Sequence, residues 1–268
     1  MQNRTDPPSR ATDRFNWLER PGHEFPFFND QPARITGPQW LLVMAMVVAG
    51  LLAVALPIHW PLGAIGRLVP ALLIVVIPLW GLHWVAPGHW KSLFARVSAR
   101  DVLWMFVFAL LNIVVTLGVG LVLMHFMAEV SNPASAALKT GDTLDRIFIF
   151  ASMAPQLLGE ELITILPFLA LMALFSKRFG ASRKTAIVGA WLVSAALFGL
   201  AHLPTYGWNV VQCLAIIGTA RLVLTLPWIM TKNLWVSTGA HIINDWTLFG
   251  VGLLGTGAAF LGQPGTLL

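Results

Sequence analysis

The stretch that decides the fold is residues 147–175, IFIFASMAPQLLGEELITILPFLALMALF, whose only charges are the adjacent Glu160 and Glu161. A run of this length and apolarity is long enough to cross a bilayer as a helix. A carboxylate at mid-depth costs roughly 3 kcal/mol or more, and two side by side repel each other. Chains seldom carry such a cost without a use for it, so the pair is the first place to look for chemistry.

Working outward, similar runs recur at about 39–58, 64–86, 102–126, 146–175, 185–204, 207–230 and 235–254. They predict an all-α integral membrane protein, a polytopic bundle of seven transmembrane helices, or eight if the apolar, Gly-rich 255–268 adds a partial segment. The composition agrees: 57% of residues are hydrophobic and 11% charged, against about 25% charged in soluble domains. No alternating ten-residue segments suggest a β-barrel. The domain reading is a polar cytoplasmic N-terminal tail, 1–38, and a single transmembrane domain, 39–268, with its catalytic core at about 146–254. The tail is too long, polar and acidic to read as a cleavable signal peptide. Residues 1–35 are expected to be mostly irregular, with Trp17, Phe25, Phe27 and Phe28 touching the interface.

The net charge of +5 would suggest nucleic acid in a soluble protein. Here the positive-inside rule accounts for it, and no nucleic-acid partner is expected. The tail, loop 87–101, loop 176–184 and turn 231–234 hold 13 of the 17 basic residues. They fall on one side if the chain alternates, which predicts a multi-pass protein with a cytoplasmic N-terminus. Loop 88–101 is expected along that interface. Trp40, Trp60, Trp84, Trp90, Trp208 and Trp235 fall near span ends, as an aromatic belt requires. The single cysteine, Cys213, excludes an intrachain disulfide and makes a Cys-based metal site improbable.

Only three of the twelve acidic residues, Glu160, Glu161 and Asp245, lie well inside apolar spans, and His202 and His241 lie in the same late region. His241 and Asp245 are four apart and share a helix face, as do Phe198 and His202. Glu160 and Thr164 also share a face, so the Thr hydroxyl is placed to donate to the carboxylate. Gly159 and Gly199 would let helices approach, and Pro155 and Pro167 would shape a cavity. Each residue has a plainer reading. An intramembrane His often serves as a helix-to-helix hydrogen-bond partner, buried carboxylates serve proton-coupled transporters, and Asp245 could cap or pair structurally.

Three motifs in order, Glu160-Glu161-Leu162-Ile163-Thr164-Ile165, Phe198-Gly199-Leu200-Ala201-His202 and His241-Ile242-Ile243-Asn244-Asp245, resemble the EExxxR, FxxxH and HxxxN/D pattern of the CPBP family. These are intramembrane glutamic proteases, also called the ABI or type II CAAX prenyl endopeptidase family. The resemblance covers roughly residues 100–254. It implies a membrane endopeptidase acting on a membrane-embedded or lipidated peptide. Glu160, Glu161, His202, His241 and Asp245 would be its catalytic residues. Glu160 would be the base, His202 would hold and polarise the water, and His241 with residue 245 would stabilise the oxyanion. It implies no cofactor. Zinc held by the same residues is the competing mechanism. A non-catalytic immunity or scaffold protein, or a proton-coupled transporter on the same fold, are the other readings.

One position departs from the pattern, and Asp245 poses a separate chemical question. Ile165 stands where the family has Arg, so Glu161 lacks its i, i+4 partner. Either Glu161 is protonated or Arg221, the other charge inside a span, pairs with it. The reading preferred for Arg221 is a snorkelling side chain that reaches the interface. Asp245, if ionised, cannot donate to an oxyanion as Asn would. Asn244, about 100° away on an ideal helix, is disfavoured as a substitute donor.

Overall fold

The computed structural model describes residues 13–58 and 60–254. It is all-helical over those residues. The elements are α1 (Gly37–Ala55), α2 (Leu68–Val85, preceded by a 3-10 turn, Gly63–Arg67), α3 (Ala99–Leu123), α4 (Pro133–Thr140), α5 (Thr143–Phe179), α6 (Arg183–Ala201), α7 (Val210–Thr231) and α8 (Leu234–Leu254). Six of these are long and apolar enough to cross a membrane. The seventh expected span does form a helix, α8. It is not among the six, because His241, Asn244 and Asp245 dilute its apolar face. The expected partial segment at 255–268 lies outside the described residues.

Helix α5 is the centre of the bundle. Of its apolar window 67% is buried, against 22% for α1 and α3. Its 37 residues span about 55 Å, well beyond the roughly 30 Å of bilayer hydrocarbon. Pro155 and Pro167 lie within it and do not end it. It packs on α1, α2, α6 and α8, while α3 closes the far side against α7 and α8. Its start is capped by Asp142, which accepts from the Asp145 amide at 2.8 Å, and it ends on Gly180 in the left-handed region. Gly159 faces Ile74 of α2 with no room for a Cβ.

The N-terminal segment corrects the sequence reading. Phe25 and Phe27 do not touch an interface; each is 1% exposed and lies in the main core. Phe25 packs on Phe168 of α5 and Trp228 of α7, with ring centroids 5.5 and 6.3 Å away. Trp40, expected in the aromatic belt, is buried against Phe27, whereas Trp84 and Trp208 are exposed. The bundle leaves an apolar opening between the ends of α5, α6 and α7, and the aromatic residues of this segment fill it.

The four basic segments do meet at one end. Arg183 at the start of α6 is bonded to Glu19 and Glu24, and Lys232 to Glu19. Arg20 pairs with Asp101 at 2.6 Å. Asn233 brackets Ala95, accepting from its amide at 3.0 Å and donating to its carbonyl at 3.2 Å. The alternation of spans inferred from Lys and Arg is the one the helices adopt.

Candidate active site

Four of the five sequence-derived residues converge between α5 and α8. Glu161 is fully buried. Its Oε1 accepts from His241 Nδ1 at 3.0 Å and from Arg221 Nη2 at 2.5 Å. A carboxylate in that position only accepts, so His241 carries its proton on Nδ1. His241 Nε2 then faces Asp245 Oδ1 at 3.7 Å and Glu160 Oε2 at 3.9 Å. Glu160 and Asp245 keep 13% and 22% of their side-chain surface open, whereas Glu161 keeps none. The two adjacent glutamates thus have different surroundings: one is enclosed, and the other lines an accessible space.

His202 is set apart from this group. Its Nδ1 lies 2.9 Å from the Phe198 carbonyl, which only accepts, so Nδ1 carries the proton and Nε2 is the acceptor of the neutral ring. Its ring packs at a tilt against Phe198, with centroids 4.6 Å apart, and the Arg221 guanidinium lies 4.9 Å from the same Phe198 ring. His202 makes no direct hydrogen bond to Glu160, Glu161, His241 or Asp245; Phe198 joins it to them. The close approach of α6 to α7 follows from Gly199. A Cβ there would fall 2.7 Å from the Cys213 carbonyl, at the start of a π-helical stretch, Cys213–Gly218.

The sequence reading of Arg221 is corrected. It does not snorkel; it is fully buried and bonded to Glu161, with Thr164 Oγ1 3.5 Å from Nη1. The snorkelling preference fails because the residues after the π-helical stretch turn Arg221 toward α5 rather than outward. Thr164 is corrected too. Its hydroxyl donates to the Glu160 backbone carbonyl at 3.0 Å, and the Glu160 carboxylate receives Gln156 Nε2 at 3.1 Å instead. Asn244 also engages the site despite its angle on the helix: it donates to Asp245 Oδ1 at 2.8 Å.

Three residues escaped sequence reasoning. Asn112 of α3 donates to Asn244 Oδ1 at 2.9 Å and is buried. Its signal was present, since it is the one amide inside VFALLNIVV. Gln156 lies one turn before Glu160 on the same face. Tyr206, in the turn after His202, is buried; burial pushes its phenol up to about 12, so it stays a neutral donor. Asn132 donates to its oxygen at 3.1 Å. Among the described residues, no three His, Cys, Asp or Glu side chains are gathered to hold a metal ion. A separate apolar groove of about 510 Å³, lined by Met105, Pro155, Leu158, Thr238 and Ile242, includes none of these site residues.

The family model for type II CAAX prenyl endopeptidase Rce1-like proteins matches residues 143–247, from the first residue of α5 to the helix that carries His241 and Asp245. Over these residues the chain is similar to that family, the CPBP proteases. The match covers all three motifs and the helices that hold them, and it supports a place among the membrane proteases. No curated protein and no solved structure matches the chain. The CPBP motifs therefore read onto this structure with one relocation: the arginine absent at 165 has a counterpart at 221.

Proposed function

We propose that this protein is an intramembrane endopeptidase of the glutamic type, with Glu160 as the base. The single observation that carries the reading is the asymmetry of the glutamate pair. Glu161 spends Oε1 on Arg221 and His241, while Glu160 Oε2 faces an accessible space beside His241 Nε2. A water there, also accepted by His202 Nε2, loses a proton to Glu160 as its oxygen attacks the scissile carbonyl carbon. The oxyanion that forms is stabilised by Nε2–H of a doubly protonated His241, whose Nδ1–H is held by Glu161 and whose second proton the Asp245 carboxylate favours. The C–N bond then breaks, and Glu160 returns its proton to the leaving amine. No acyl-enzyme forms.

The substrate is a peptide associated with the membrane through a lipid such as a prenyl group. The name of the matched family supports this. The zinc reading places an ion on the same side chains. What supports the metal-free reading is that, among the described residues, no three such side chains are gathered to hold an ion.

The test is cleavage of a fluorogenic peptide carrying a prenylated cysteine by purified protein in detergent, before and after 1,10-phenanthroline and dialysis. Cleavage that survives chelation is the expected result. Loss on chelation with recovery on adding zinc would install the metal route, and no cleavage at all would count for a non-catalytic scaffold.

A further inference from the structure

We infer that Arg221 is a positioning residue for hydrolysis, supplying from α7 the cation that the family pattern places four residues after the second glutamate on its own helix. This rests on the proposed endopeptidase reading. The family position is Ile165, fully buried in the apolar core and with no charge to offer. Arg221 follows the π-helical stretch Cys213–Gly218 by three residues. A π turn holds more residues than an α turn and so rotates everything after it, and such turns recur at functional sites. The rotation aims the guanidinium at Glu161.

A buried counter-ion alone would be a structural device. Arg221 does more, because its partner oxygen is shared. Glu161 Oε1 takes both Arg221 Nη2 and His241 Nδ1. Fixing that oxygen fixes the proton on Nδ1, and with it the direction of Nε2 toward Glu160 and Asp245. The same guanidinium lies over the Phe198 ring, and the Phe198 carbonyl holds His202 Nδ1. One side chain therefore braces the supports of both histidines. A lysine could reach the oxygen, but as a point charge it could not also cover the ring in the same plane.

The experiment measures kcat and KM on the prenylated fluorogenic peptide for wild type, R221M, R221K and the relocation variant I165R/R221M. The ¹⁵N spectra of histidine-labelled protein are recorded alongside, with H241Q to assign the His241 signals. R221M should lose about 100-fold in kcat with KM changed by no more than about two-fold, the pattern of misplaced rather than unbound reactants. The relocation variant should recover at least about ten-fold of that loss, and R221K should fall between. R221M should also lose the Nδ1–H form of His241, and the relocation variant should restore it. Wild-type kcat in folded R221M, with the His241 signals unmoved, would overturn the proposal. If R221M does not accumulate as folded protein, R221K decides: wild-type kcat there overturns it. The endopeptidase reading fails separately, through E160Q retaining activity or wild type cleaving nothing. In that case the ¹⁵N spectra still decide whether Arg221 positions His241.

Discussion

Two groups of buried charge in this bundle are finished in different ways. At the basic end, Glu19 is enclosed and completely bonded. It takes Arg183 Nη1 and Nη2 at 2.8 and 2.5 Å, Lys232 Nζ at 2.6 Å and the Phe15 amide at 3.0 Å. Phe25 lies under both cations. Between α5 and α8, Glu161 takes Arg221 and His241 on Oε1 and leaves its enclosed Oε2 without a hydrogen bond, while Glu160 beside it holds only Gln156 and stays partly open. The first group ties the N-terminal segment to the starts of α6 and α8. The second keeps one carboxylate unspent. A buried carboxylate whose oxygens are all bonded is scaffold, whereas one left with an open oxygen next to an imidazole is where a reaction can be run.

The comparison can be broken most forcefully on the active-site side. H202Q removes the acceptor Nε2 proposed to hold the attacking water and should lower kcat by about 100-fold or more, with the melting temperature unchanged; steady-state cleavage with a parallel melt checks it. On the scaffold side, E19Q leaves Arg183 and Lys232 buried and short of charge, and should cost about 3 kcal/mol in a detergent unfolding titration. The same cluster predicts an acid limb. The two cations hold Glu19 at about 2, below its ordinary 4.5, and burial holds Lys232 down at about 8. A depressed carboxyl stabilises the fold above its unfolded value. That contribution should be lost as pH falls from 4.5 toward 2, and E19Q should flatten this limb of the melting curve.

Two milder variants sharpen the boundary between the groups. G199A pushes a Cβ to 2.7 Å from the Cys213 carbonyl, which is backbone and yields poorly. It should cost about 1–3 kcal/mol and also slow turnover, because His202 and Arg221 lie just beyond the contact. N112A removes one bond to Asn244, two steps from His241. It should cost about 1 kcal/mol and change kcat by no more than about ten-fold, read by the same melt and assay.

The spans were legible because length and apolarity are local properties of a segment, and the helix boundaries fall within a few residues of them. The last span, 235–254, was legible as α8 too, although its site residues leave it outside the six most apolar helices, and the same logic misread Phe25 and Phe27. Their burial depends on a gap among α5, α6 and α7 that no local pattern encodes. Glu160, Glu161, His241 and Asp245 were legible as a group because charge inside an apolar run is rare. What neutralises Glu161 was not. Arg221 lies 60 positions away, and its direction depends on a π-helical turn, so charge counting alone left snorkelling as the simpler reading.

The measurement that tests the account most directly sets E160Q beside E19Q in one preparation, with kcat taken per folded molecule and a thermal melt on each. E160Q should melt like wild type and cleave at least about 1,000-fold more slowly, while E19Q should melt lower and cleave at the wild-type rate. Turnover by E160Q within about ten-fold of wild type, with E19Q the slower enzyme, would contradict the assignment of Glu160 as the working carboxylate.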